Sequence, residues 1–336
     1  MTLRRASIAA MALGAVGLAL GLVLWAIPAS EFVFVPNTAK PLAGHVTVEG
    51  ARPTDDGSVY YVDVSVRRLT TLERVLPFTR PESSTVVPEE ALLPEGTSEA
   101  ERDAQVRKEM ERSEEVAALV ALRALGYDVR ARPLGVLVTG VLAGTPAEAE
   151  LATGDVVVAV DGETVLTPTE LQDAISRREP GDPVRLTVRH AGATHDVTLT
   201  TIESPRDPER PFIGITIDQA ADIELPIDVD IDLGRVGGPS AGLPFALEIT
   251  RLLGKEVTGG CRIAATGELA LDGSVIRVGG VEQKTVGARR ADVDAFLVPA
   301  GENAEEARRY AEGLRVIPVE SFQQALRALR TAGLKC

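Results

Sequence analysis

The sequence predicts an α+β protein of two folded parts behind one N-terminal membrane helix, and three observations carry this expectation. Residues 8–27 include no charge, and a bilayer-crossing helix needs about 20 such residues. Residues 130–203 read as short strands around one helix. Residues 207–336 alternate strand with helix, which is the pattern of a mixed α/β domain. At 336 residues the chain has room for both parts and the anchor.

Residues 1–7 carry Arg4 and Arg5, which places them on the cytoplasmic side of a transmembrane helix over residues 8–27. Trp25 falls at the interface and Glu31 beyond it. The expectation is a single-pass cell-membrane protein with an extracytoplasmic body. The competing reading is a cleaved signal peptide, whose apolar region is shorter, about 7–15 residues; residues 26–30 offer small residues for cleavage. A net charge of −14 argues against nucleic acid as a partner, since phosphate contacts need clustered Lys and Arg. Cys261 and Cys336 do not make a disulfide framework or a zinc site. Cys261 reads as a small core residue and Cys336 as a mobile end. No metal or other cofactor is expected.

Residues 29–129 open with strands at 31–35, 45–49 and 59–66, the last alternating and β-branched. Residues 80–100, rich in Pro, Glu and Ser, read as a loop, and residues 99–125 as a helix stopped by Gly126. Between 130 and 203, strands at 135–141 and 155–160 precede a helix at 167–178. Thr167 is its N-cap and Pro168 its first helical residue. Strands at 183–190 and 194–200 close this part as a hairpin. From 207 onward, strands at 213–217, 227–231, 263–271, 295–298 and 315–319 alternate with helices at 240–253, 283–291, 304–312 and 321–332.

Two glycine-rich runs carry the chemistry: Gly237-Gly238-Pro239-Ser240-Ala241-Gly242 and Gly279-Gly280-Val281-Glu282-Gln283-Lys284. A serine hydroxyl attacks a carbonyl only when a neighbouring base takes its proton. The histidines are His45, His190 and His195, none beyond residue 195. A buried lysine with a lowered pKa can serve instead, so the two runs read as a Ser–Lys hydrolase. Ser240 at a helix N-terminus has amides and a dipole that favour an oxyanion, although serine is also a favoured N-cap.

Gly238-Pro239-Ser240-Ala241-Gly242, Ala265-Thr266-Gly267-Glu268 with Asp272-Gly273-Ser274-Val275, the run ending at Lys284, and Phe296-Leu297-Val298-Pro299 resemble the proteolytic domain of Lon proteases in order and spacing. The resemblance implies a Lon-type fold over residues 207–336, with Ser240 as nucleophile and Lys284 as general base. It implies Thr266 as an orienting hydroxyl, and Gly238 and Ala241 as orienting or oxyanion positions. Pro244 and the pair Glu282-Gln283 depart from the family pattern. Lon enzymes carry an ATPase, but no G-x-x-x-x-G-K-[ST] loop occurs here, so no nucleotide partner is expected.

Residues 130–203 resemble a PDZ domain of the bacterial, protease-associated kind, through Pro133-Leu134-Gly135-Val136, Ala143-Gly144-Thr145-Pro146-Ala147 and Leu151-Ala152-Thr153-Gly154-Asp155-Val156-Val157. This implies a groove lined by Leu134, Gly135, Val136 and Val138, where an extended peptide adds a strand. Residues 59–68 and 114–125 resemble the start of the Lon domain, which would make the PDZ part an insertion within it. The partners expected are protein or peptide substrates and the membrane. The oligomeric state stays open, a homo-oligomer included. The competing function is a catalytically silent PDZ/Lon-fold scaffold that binds extracytoplasmic peptides.

Overall fold

The computed structural model describes residues 2–51, 57–93, 98–190, 192–205, 207–234, 236–331 and 336, with side chains from residue 14 onward. The chain divides into two compact units. Met1–Leu125 and Ile227–Cys336 form the first, and Gly126–Pro226 the second. A helix runs over Thr2–Ala26. Among the described residues no helix is long and apolar enough to cross a membrane. Residues 8–13 of the expected span lie outside the described side chains.

The first unit is organised on a five-stranded sheet with the spatial order Lys40–Pro41, Ser58–Tyr61, Arg262–Ala265, Ala295–Pro299, Arg315–Val319. The last four strands are parallel and the short edge strand is antiparallel. Parallel neighbours need crossover connections; the helices Val281–Arg290 and Glu302–Tyr310 supply the last two, and the first, from Ser58–Tyr61 to Arg262–Ala265, runs through the second unit. A parallel strand covered on both faces reads as a continuous apolar run, and every residue of Ala295–Pro299 is buried. A second sheet orders Val64–Thr70, Pro28–Pro36 and Thr85–Val87.

The strand expected over 59–66 is two strands. Ser58–Tyr61 belongs to the first sheet and Val64–Thr70 to the second. The chain changes sheets at Val62 and Asp63, and aspartate is poorly suited to a strand interior. Thr85–Val87 falls inside the stretch read as a loop; three residues are too few for a periodic pattern to show.

The long helix Glu99–Ala124 starts on a reciprocal cap. The Ser98 hydroxyl accepts from the Glu101 amide, and the Glu101 carboxylate accepts from the Ser98 amide. Its second half is buried from Val116 to Leu122. The helix Gly242–Leu252 is buried from Gly242 to Arg251 and follows a 3-10 turn, Pro239–Ala241. Its one internal ion pair, Arg251 to Glu248 at 2.7 Å, is buried on both sides, and such pairing is what makes burial of either charge tolerable.

The second unit is a sheet in the order Ala193–Thr200, Pro183–His190, Val156–Val160, Arg130–Val141, Ile215–Glu224. The helix Pro168–Ser176 carries the expected Thr167 cap, reciprocated by Glu170. Its buried Leu171 joins a core of Val136, Val138, Val157, Leu186 and Val188. Ile215–Glu224 pairs along the whole length of Arg130–Val141. Residues 207–226, expected with the C-terminal alternation, therefore fall in the second unit.

Cys261 is buried as expected, but Cys336 is not a mobile end. Cys261 and Cys336 form a disulfide, with Cα atoms 5.3 Å apart and a sequence separation of 75. The terminal helix Phe322–Thr331 buries Phe322, Ala325, Leu326 and Leu329 on the first unit, so the C-terminus is brought back to the sheet rather than left free. Cys336→Ser should lower stability by up to about 4 kcal/mol, the loop-closure value for a ring of this size. Thermal unfolding with and without reductant checks it: reductant should destabilise the parent and leave the variant unmoved.

Candidate active site

A cavity of ≈ 440 Å³ in the first unit is lined by Gly237, Ser240, Ala241, Gly279, Gly280 and Lys284. The two glycine-rich runs, remote in sequence, thus meet in one place. Asn37, Tyr61, Asp63 and Ser65 add polar lining, and Phe34, Val62, Val64, Val66, Met110 and Val236 form an apolar wall.

The turn that carries Ser240 is held from two sides. Gly238 has φ +93°, a conformation that glycine adopts without strain, and its amide donates to the Val106 carbonyl at 3.0 Å. A Cβ on Gly237 would lie 2.5 Å from Val106 Cγ1. Ser113 Oγ donates to the Pro239 carbonyl at 3.0 Å. These contacts all come from the helix Glu99–Ala124. From the opposite side, the Gly267 amide donates to the Ser240 carbonyl at 2.9 Å, and Thr266 Oγ1 donates to the same oxygen at 3.2 Å. Thr266 therefore orients the serine through its backbone.

Ser240 does not cap the helix. The α-helix begins at Gly242, and neither it nor the preceding turn takes a side-chain capping bond. The bland reading of this serine is thereby removed. Gly238 changes role: its amide is spent on Val106, so it shapes the turn and offers no donor to an oxyanion. Ala241 remains at the cavity wall.

Lys284 sits in the first turn of Val281–Arg290 and is 5 % exposed. Burial disfavours the ammonium and lowers the amine to about 8, while the negative charge of Asp63 works in the opposite direction. The helix that carries it is clamped. The Ala39 amide donates to the Gly287 carbonyl at 3.0 Å, and Arg290 donates to the Pro36 carbonyl at 3.1 Å. A Cβ on Gly287 would meet the Asn37 carbonyl oxygen at 2.1 Å, so only glycine allows this approach.

Asp63, Asn37, Tyr61, Met110 and Ser113 escaped the sequence reading. A signal for one of them was present: Asp63 is the single charge in the apolar run 59–66.

The peptide groove expected beside Leu134, Gly135, Val136 and Val138 is not available. Arg130–Val141 is an interior strand. Val136 and Leu137 pair with Val157 and Val156 on one side. Gly135, Val136 and Val138 pair with Ala220, Gln219 and Ile217 on the other. Val136 and Val138 are core residues with no exposure. The edges of this sheet are Ala193–Thr200 and, beside Arg130–Val141, Ile215–Glu224. Gln219 Nε2 ties that edge to the start of the neighbouring helix by donating to the Leu166 carbonyl at 2.6 Å. The apolar-Gly-apolar run Ile213-Gly214-Ile215 leads into it, with Gly214 at φ +91°.

Lys284→Met gives a test of the buried amine. Below about pH 8 the folded protein holds an ammonium in an apolar site, and the unfolded chain holds it in water. The unfolded state binds more protons between about 8 and the ordinary lysine value, so stability rises with pH across that window. At pH 7 the variant should be more stable by roughly 3 kcal/mol, and the gain should vanish near pH 10. Denaturant unfolding at the two pH values reads it; a gain independent of pH would exclude a charged buried amine.

Residues 216–331 match the family model for the Lon protease (S16) C-terminal proteolytic domain. Residues 123–201 match the PDZ domain model. The chain is 36% identical over 95 residues to the Lon protease of Methanosarcina barkeri, covering 27% of this chain and 12% of that one. It is 32% identical over 128 residues to Lon protease 1 of Sorangium cellulosum, covering 37% and 16%. The chain thus spans less than a fifth of the length of these relatives. A solved PDZ domain of an SdrC-like protein from Listeria monocytogenes aligns at 27% identity over 25% of this chain and 86% of that one, with a TM-score of 0.23. The chain carries a Lon-type proteolytic domain together with a PDZ domain.

Proposed function

We propose that the chain is a membrane-anchored, ATP-independent serine endopeptidase that uses Ser240 and Lys284. The observation that carries this reading is the convergence of both side chains on one cavity, with the lysine desolvated. The neutral amine of Lys284 takes the proton of Ser240 Oγ as that oxygen attacks the peptide carbonyl carbon. The carbonyl π pair moves onto its oxygen, beside the Ala241 end of the turn, where amides at a helix start have no partners within it. When the C–N bond breaks, the lysine ammonium returns the proton to the leaving amine. Water then opens the acyl-enzyme by the same exchange. The apolar wall suits an uncharged substrate side chain next to the scissile bond.

Three observations support the remaining parts of this reading. The uncharged run 8–27 behind Arg4 and Arg5 favours an anchor. The Cys261–Cys336 disulfide suits an oxidising, extracytoplasmic compartment. The chain has no phosphate-binding loop, which favours hydrolysis without nucleotide. The second unit would take substrate or regulatory peptides at the edge strand Ile215–Glu224, by strand addition.

Ser240→Ala and Lys284→Ala should each reduce peptide hydrolysis by at least about a thousandfold with the fold retained. Turnover in the parent should climb from pH 7 towards pH 9 as the amine loses its proton. A fluorophosphonate that leaves Ser240 unlabelled in the folded parent would favour the scaffold reading instead.

Removing the second unit, Gly126–Pro226, should spare hydrolysis of short peptides and impair that of protein substrates. Short-peptide turnover normalised to folded protein decides it. A folded but inert deletion variant would mean that the unit supports the chemistry directly.

A further inference from the structure

We propose that Asp63 is a positioning residue for the base, holding and stabilising Lys284 as it receives the serine proton. The inference rests on the reading of Lys284 as that base. Asp63 lines the cavity that holds Ser240 and Lys284. Its carboxylate is 15 % exposed. One oxygen, Oδ2, accepts from Asn37 Nδ2 at 2.8 Å and lies 3.7 Å from Lys40 Nζ. The other, Oδ1, is buried with no hydrogen-bond partner among the described residues. An unsatisfied buried carboxylate oxygen is costly, and such costs persist where the group has work to do.

The surroundings fix which group it serves. Asn37, which holds Oδ2, also presents its carbonyl to Gly287, one turn along the helix from Lys284. The same short segment therefore sets the position of both the acid and the base. The charged and titratable groups facing the amine are Asp63, Lys40 beyond it, and Tyr61, whose hydroxyl is itself pushed up by burial and then by Asp63. Elsewhere on the lysine helix, Glu306 accepts from the Glu282 amide, and the Glu282 side chain is hydrogen-bonded with Tyr310.

The chemistry follows from these positions. When Lys284 takes the proton from Ser240 Oγ, a cation appears in an apolar cavity. A carboxylate with a free acceptor oxygen lowers the free energy of that cation and of the transition state leading to it. Asn37 keeps the carboxylate in place, and Lys40 draws off part of its charge.

The experiment is a pH profile of short-peptide turnover, paired with titration of Lys284 by side-chain NMR in the full chain. Removing the negative charge lowers the amine pKa, so Asp63→Asn should move the rising limb down by about one pH unit. It should cut kcat about tenfold with KM within about twofold, and Asp63→Glu should bring the limb part of the way back. Lys40→Met removes the competing cation at a half-exposed position, so the limb should move up. That second variant keeps the test decisive should the first not fold. An unmoved limb and an unmoved Lys284 titration in both variants would overturn the role of Asp63. Retained turnover in Lys284→Ala would instead overturn the base reading on which it stands.

Discussion

A lysine amine held out of water is the constraint around which the first unit is built. An ammonium in an apolar site costs several kcal/mol unless something compensates it, and among the described residues the opposing charge that acts on Lys284 is that of Asp63. Compensation is therefore partial, which leaves the amine at about 8, close to the pH at which a base works best. Full pairing would have made it a permanent cation. No pairing would have made it too weak an acceptor. The position is kept by backbone: the 36–39 segment touches the lysine helix at Gly287 and Arg290, where a side chain on residue 287 would not fit.

The serine is held on the same principle. Its carbonyl takes two donors from the strand end at Thr266 and Gly267, and its turn is anchored to Val106 and Ser113. The hydroxyl is free of capping duty because the helix begins two residues later. Backbone bonds fix position without spending the reactive atom, which is what a nucleophile on a rigid element needs. The first unit thus fixes both reacting groups through main-chain contacts and leaves the cavity wall to apolar side chains.

Much of this was legible in residues. The glycine runs around Ser240 and Lys284 marked sharp turns, the strand–helix alternation marked a mixed α/β domain, and Thr167-Pro168 marked a helix start. What escaped depends on contacts between remote segments. Asp63 sat in an alternating run that looked like one strand, and only the change of sheet turns it into the cavity. The cysteines gave no spacing signal, since their pairing depends on where the terminal helix docks. The groove was misplaced because Pro133-Leu134-Gly135-Val136 and Ile213-Gly214-Ile215 share one local pattern. Which of two such strands lies at the sheet edge is decided by the pairing of Ile215–Glu224 along Arg130–Val141, a register that neither strand encodes alone.

The discontinuity of the first unit carries a consequence for how the site comes to exist. The helix that anchors the serine turn precedes the second unit, and the turn itself follows it. The Ser113–Pro239 bond alone spans 126 residues. Contacts of such separation bring reward only after their loop-closure entropy has been met. A compact intervening unit reduces that cost, because its own folding brings its two ends from random-coil separation to a fixed one. In the full chain, folding of Gly126–Pro226 in this sense eases assembly of the cavity. In the full chain the serine turn meets its anchoring helix after the chain has passed through the intervening unit and returned, and the base follows later still, at Lys284.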